Sequence, residues 1–140
     1  MKNVFGWLTT LAMLSTLLMA DELAEKIRLQ NQNVVKAAAH ELSKELPKRV
    51  DPFTRLTGID ADGVMLIYTF EIDAGPKSDD QIIKEGKERM RRNVMAGVCS
   101  TSQRFLKSGI VISYRYISAA SKKPLFRFDV AEKDCSTFVH

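Results

Sequence analysis

The stretch Asp79–Val98, closed by Cys99, constrains the fold more than any other. It reads DDQIIKEGKERMRRNVMAGV. Ile82, Ile83, Gly86, Met90, Val94 and Val98 recur at three- and four-residue steps, so they share one face of a helix. Lys84, Lys87, Arg91 and Arg92 fall on the other faces, among Glu85 and Glu88. Ser78, with Gln81 three residues on, makes a capping box that starts the helix. A helix that is apolar on one side must bury that side, and strand-rich segments lie before and after it. The expected class is α+β, in the order helix–hairpin–helix–hairpin. That gives an antiparallel sheet of about four strands with the helices packed on one face.

Period-two alternation supplies the strands. In Val64–Ile72, residues Val64, Leu66, Tyr68, Phe70 and Ile72 take one face; Met65, Ile67, Thr69 and Glu71 take the other. Phe53–Ile59 is the hairpin partner, across an Asp60-Ala61-Asp62-Gly63 turn, and Lys48–Pro52 reads as a connector. After Cys99, Ser100 and Gln103 predict the start of a second short helix, and Gly109 its left-handed end. Ile110–Ile117 and Leu125–Val130 form the second hairpin. Upstream, Asp21–Leu46 reads as helix, with Leu23, Ile27, Val34, Val35, Ala38, Leu42 and Leu46 on roughly one face. Asn31-Gln32-Asn33 is a weak spot in it, and Pro47 ends it.

Residues 1–20, MKNVFGWLTTLAMLSTLLMA, hold a single charge at Lys2, then an apolar run closed by the small Ala20. This is the layout of a secretory signal peptide, with cleavage expected after Ala20 and one α+β domain over 21–140. The alternative is an uncleaved anchor in the inner membrane, because residues 4–20 approach the length that spans ~30 Å of hydrocarbon. The expected location is the periplasm. Two cysteines, Cys99 and Cys135, in an exported chain predict a disulfide. Neither lies near Ala20, so lipoprotein processing is not expected.

The chain has 140 residues, of which 45% are hydrophobic and 27% charged, enough for a real core without metals. A net charge of +4 permits an acidic partner or weak contact with an anionic membrane surface, but demands neither. Nucleic acid is not an expected partner of an exported chain. For chemistry the sequence offers little. The histidines are His40 and His140, with no HExxH, CxxC or phosphate loop beside them, so no catalytic residue, metal or cofactor is expected. Asp60 and Asp62 lack the further oxygen ligands of a calcium loop. Glu85 with Arg89, and Glu88 with Arg92, are spaced for helix ion pairs. Lys84, Lys87, Arg91 and Arg92 are the expected docking residues for a partner. Tyr68, Tyr114, Tyr116, Phe126 and Phe128 form an aromatic set that is either sheet core or a ligand platform.

The helix–hairpin–helix–hairpin order, with one disulfide behind a leader, resembles the architecture of small exported bacterial proteins, including the α/β type of secretion pilotin. Those pilotins are lipoproteins, and this chain departs from them in having no lipidation cysteine. The expected function is that of a non-enzymatic accessory protein of the bacterial envelope, working by protein–protein contact. It would be a secretion-system accessory, chaperone-like, or of inhibitor or immunity type. A small periplasmic hydrolase is the enzymatic alternative, and it requires distant acids and His40 to meet in one cleft.

Overall fold

The structure, a computed structural model, describes residues 6–137. The chain divides into two compact units, Met1–Gln30 and Asn31–His140. Helix α1, Gly6–Ser43, makes up the described part of the first unit and continues into the second. In the first unit Leu17, Leu18 and Met19 are exposed, and Arg28 pairs with Glu25 one turn back. Among the described residues no helix is long and apolar enough to cross a membrane.

The second unit is built on a five-stranded sheet in the order β1-β2-β3-β4-β5. The strands are β1 Lys48–Asp51, β2 Thr54–Asp62, β3 Met65–Ile72, β4 Val111–Ser118 and β5 Pro124–Val130. Helices α2, Asp79–Thr101, and α3, Gln103–Lys107, lie between β3 and β4. The class is α+β, as the periodicity predicts, but the sheet differs in two ways. It has a fifth strand, and β3 pairs with β4 in parallel, from Met65↔Val111 to Ile72↔Ser118. Parallel neighbours need a crossover, which α2 and α3 supply. The extra strand is β1, in the segment that reads as a connector between Pro47 and Pro52. All four of its residues are exposed, and an edge strand tolerates proline at its ends. The Asp60–Gly63 turn shrinks to Gly63-Val64. Gly63 takes φ 57°, so Asp60 and Asp62 extend β2 instead.

One face of the sheet carries α2, α3 and the part of α1 that lies in this unit. Phe70, Ile72, Tyr116, Phe126 and Phe128 pack with Val94, Val98 and Leu106, while Ile59, Leu66 and Ile110 pack with Val35 and Ala39 of α1. Tyr116, Phe126 and Phe128 are core; Tyr68 and Tyr114 are only half-buried. The buried pair on α1 is Val35 and Ala39, whereas Val34 and Leu42 of the expected face are exposed. Asn31 is no break in α1: it is buried, and its amide donates to the Ser108 carbonyl at 2.7 Å. Gly109 next to that contact has φ 101°, and a Cβ there would stand 3.6 Å from the Asn31 amide nitrogen. α3 begins after Ser102 without a side-chain cap, because α2 runs on through Ser100, whose hydroxyl donates to the Gly97 carbonyl at 3.0 Å. Cys99 and Cys135 are joined, with Cα atoms 5.4 Å apart, tying the end of α2 to a 3-10 turn at Glu132–Cys135.

On the other sheet face Glu71 is nearly covered and meets Lys122 and Arg55. The Lys122 hydrogen bond, and the Arg55 charge behind it, hold its carboxyl below the usual carboxylate range. A lowered folded-state pKa adds stability above the unfolded-state value, and that stability is lost as pH falls through the folded value. Glu71→Gln should therefore cost about 1 kcal/mol at neutral pH. In urea melts the gap from the native protein should close on acidification. A gap that held at low pH would mean the ion pairs contribute nothing.

Candidate functional site

A groove of about 580 Å³ runs between the N-terminal half of α2 and the β1–β2 turn. Local chemistry fixes both walls. On α2, the capping box forms as the sequence predicts: the Gln81 N–H donates to Ser78 Oγ at 3.3 Å, and the Ser78 N–H to Gln81 Oε1 at 3.0 Å. Ser121 donates its hydroxyl to Asp79 at 2.6 Å, docking the helix start on the β4–β5 turn and holding that carboxyl low. Ile82, Gly86, Met90 and Asn93 then face the groove at helical spacing. A Cβ at Gly86 would meet only Met90 Sδ, at 3.8 Å, so the glycine answers no backbone demand and keeps the groove wide.

The opposite wall is the turn Asp51–Thr54. The Asp51 carboxylate accepts the Phe53 N–H at 2.8 Å, and the Asp73 N–H donates to the Phe53 carbonyl at 2.8 Å. Arg49 donates to the Pro52 carbonyl at 3.2 Å. The turn is thus held at three points, yet the Phe53 side chain stays 64% exposed, with Val50 beside it at 57%. Ile72, Ala74, Val94 and Tyr116 make an apolar floor. Burial pushes the Tyr116 hydroxyl well above its ordinary pKa, so it is a neutral phenol.

The charges around this floor are mostly spoken for. Lys77 and Glu85 pair across the rim, which holds the Glu85 carboxyl low. Asp51 is engaged by its own turn. Arg89 remains, with no ion pair or hydrogen bond among the described residues.

The four expected docking residues sit elsewhere. At about 100° per residue, Lys84, Lys87 and Arg91 fall within about 60° of one another on α2, and Arg92 stands about 100° further round. None of the four lines the groove. The ion pairs differ too: Glu88 holds Arg91 at 3.1 Å rather than Arg92, and Glu85 goes to Lys77 rather than Arg89. His40 is exposed on α1, and His140 lies outside the described residues. Among the described residues no group of three or more His, Cys, Asp or Glu side chains could hold a metal ion. Sequence reasoning missed Phe53 and Arg89. The signal for Phe53 was an aromatic directly after Pro52, in a turn rather than a strand.

A family model described as “Putative quorum-sensing-regulated virulence factor” matches residues 21–136. No curated protein matches the chain. Among solved structures, a “putative secreted protein” from Pseudomonas aeruginosa is similar at 16% identity and TM-score 0.69, over 78% of this chain and 96% of that one. The type 2 secretion system pilotin EpsS from Vibrio vulnificus is similar at 13% identity and TM-score 0.69, over 80% of this chain and 97% of that one. The type II secretion system pilotin AspS from Vibrio cholerae is similar at 14% identity and TM-score 0.65, over 80% and 98%. At these identities the likeness is one of fold.

Proposed function

The chain belongs to the family of that description, and from this premise we propose that it is an exported, non-enzymatic accessory protein of the bacterial envelope. It acts by holding another protein in the groove beside α2. The observation that carries the proposal is the groove's make-up: an apolar floor, an exposed Phe53 on a pinned turn, and Arg89, which makes no ion pair among the described residues and shares only the field of a Glu85 already held by Lys77. An aromatic that stays out of the core at the lip of an apolar cleft is the kind of anchor that interfaces bury. The occupant that fits is an apolar segment of an envelope protein presenting one acidic residue to Arg89. The fold shared with a secreted protein and two secretion pilotins supports the reading. The family match beginning at Asp21 supports removal of residues 1–20 as a signal peptide and a periplasmic location. Lys84, Lys87 and Arg91, on the far side of α2, steer association rather than seal it.

The test is binding of the envelope partner, purified on the native protein and then titrated. Phe53→Asp and Arg89→Glu should each weaken it about tenfold or more while leaving the melting temperature in place. Lys87→Glu with Arg91→Glu should slow association and reduce its salt dependence. His40→Ala should change nothing. If His40→Ala abolished biological activity in a folded protein while the groove variants bound normally, the hydrolase reading would replace this one.

A further inference from the structure

The sheet face opposite the helices takes no helix from this unit: Met65, Ile67, Val111 and Ile117 belong to neither core cluster and are half-buried. The strand registers lay its charges out in rows. Arg49, Arg55, Arg115 and Arg127 fill the two rows at one end of the strands; Asp60, Asp62 and Asp129 fill the two at the other. Two pairs of like charge stand directly opposite across strands, Arg49↔Arg55 and Arg115↔Arg127. Directly opposed like charges destabilise a sheet. The acid on the basic half is Glu71, which Lys122 and Arg55 already neutralise, and across the boundary Arg127 donates to Asp129 of its own strand at 2.8 Å. The face is therefore a plate with a basic end, an acidic end and half-buried aliphatic side chains between its charges.

We infer that this face is a contact between two copies of the chain. A half-turn about an axis lying in the contact plane, across the strands, lays the basic end of each copy on the acidic end of the other. That double complementarity is what an isologous contact requires. The register then sets β2 over β2, β4 over β4 and β5 over β5. Arg55 meets the second copy's Asp62, the Arg127–Asp129 pair of each copy meets the same pair of the other in inverted order, and Ile117 meets its Val111. Sheets stacked face to face in this way are a standard packing. At about 4.8 Å between strands and about 3.4 Å per residue, the plate measures roughly 20 Å by 27 Å, or about 550 Å² a side. The pair buries about 1,100 Å², at the low end for specific association, so the dimer is weak and salt-sensitive.

Other occupants fit less well. An anionic membrane would be repelled by Asp60, Asp62 and Asp129, and those aspartates share their rows with Met65, Ile67 and Val111, so most of the aliphatic side chains lie at the acidic end. A uniformly acidic protein would leave the aspartate end unmatched. Phe53 and Arg89 line the groove and take no part in this face, so the dimer and the groove are separable.

Sedimentation velocity of the exported protein over a concentration series at low salt is the test. A monomer–dimer equilibrium that weakens at high salt is expected. Asp129→Arg and Arg127→Asp should each weaken the dimer about tenfold or more, and Asp62→Arg, near the tip of the β2–β3 hairpin, should do the same. Arg127→Asp combined with Asp129→Arg exchanges the charges in both copies and should restore association to within about threefold. Thermal melts confirm that each variant folds. A protein that stays monomeric at every concentration overturns the proposal. So does a dimer indifferent to all three reversals, and so does a monomer that binds anionic vesicles through Arg115.

Discussion

Phe70→Ala should cost about 3–5 kcal/mol of folding stability, the usual range for emptying an aromatic site in a core. Phe70 is 6% exposed in the middle of β3. Its ring centroid lies 5.0 Å from that of Tyr116, 5.1 Å from Tyr114 and 6.5 Å from Tyr68. Such pairs contribute about 0.5–1.5 kcal/mol each beyond the area they bury. The rings on either side are held by their own strands, so the site cannot collapse to fill the gap. The melting temperature should fall by about 10–20 °C. The same substitution decides what the aromatic strand face is for. A ligand platform would keep its stability and lose binding. A core loses stability while the folded fraction still binds in the groove, because Phe70 does not line it. A loss under about 1 kcal/mol would mean that the ring ladder is not packed as described.

How far residues alone lead toward this fold depends on whether the signal is local. α2 is readable because its apolar side repeats at helical spacing and its first turn carries its own cap. The alternation of β3 and β5 is readable for the same kind of reason. β1 is not: four exposed residues between prolines carry no pattern, and only the pairing Lys48↔Leu56 makes them a strand. The parallel pairing of β3 with β4 is likewise absent from the sequence, since it depends on which way the long crossover between Ile72 and Val111 turns back. On α1, Val34 and Val35 are equally apolar, and only the position of Ile59 and Leu66 selects Val35 for burial. The site follows the same rule. The sequence shows that α2 is rich in cations, but which one faces a groove is set by the turn across from it. That turn selects Arg89 and leaves Lys84, Lys87, Arg91 and Arg92 outside.

Replacing Cys99 and Cys135 together with serine should cost about 4 kcal/mol. The bond closes a loop with a sequence separation of 36 residues. In the chain-entropy account a loop of that size removes about 4 kcal/mol of freedom from the unfolded chain. Cys99 is 2% exposed, so a serine hydroxyl there adds a buried polar group and can only deepen the loss. The melting temperature should drop by about 10–15 °C. The location of the damage can also be stated. The disulfide holds the C-terminal end of α2, whereas the groove uses its N-terminal half, anchored separately by the Ser78 capping box and the Ser121–Asp79 bond. Below its lowered melting point the double variant should therefore bind as the native protein does. Dithiothreitol supplies the matching control: it should bring the native protein down to the melting temperature of the double variant and leave the variant where it is. A native protein unmoved by dithiothreitol under conditions that reduce the bond would remove the staple from the energetics. It would also remove one reason for placing the chain in an oxidising compartment, because a bond worth forming there is one whose loss is felt.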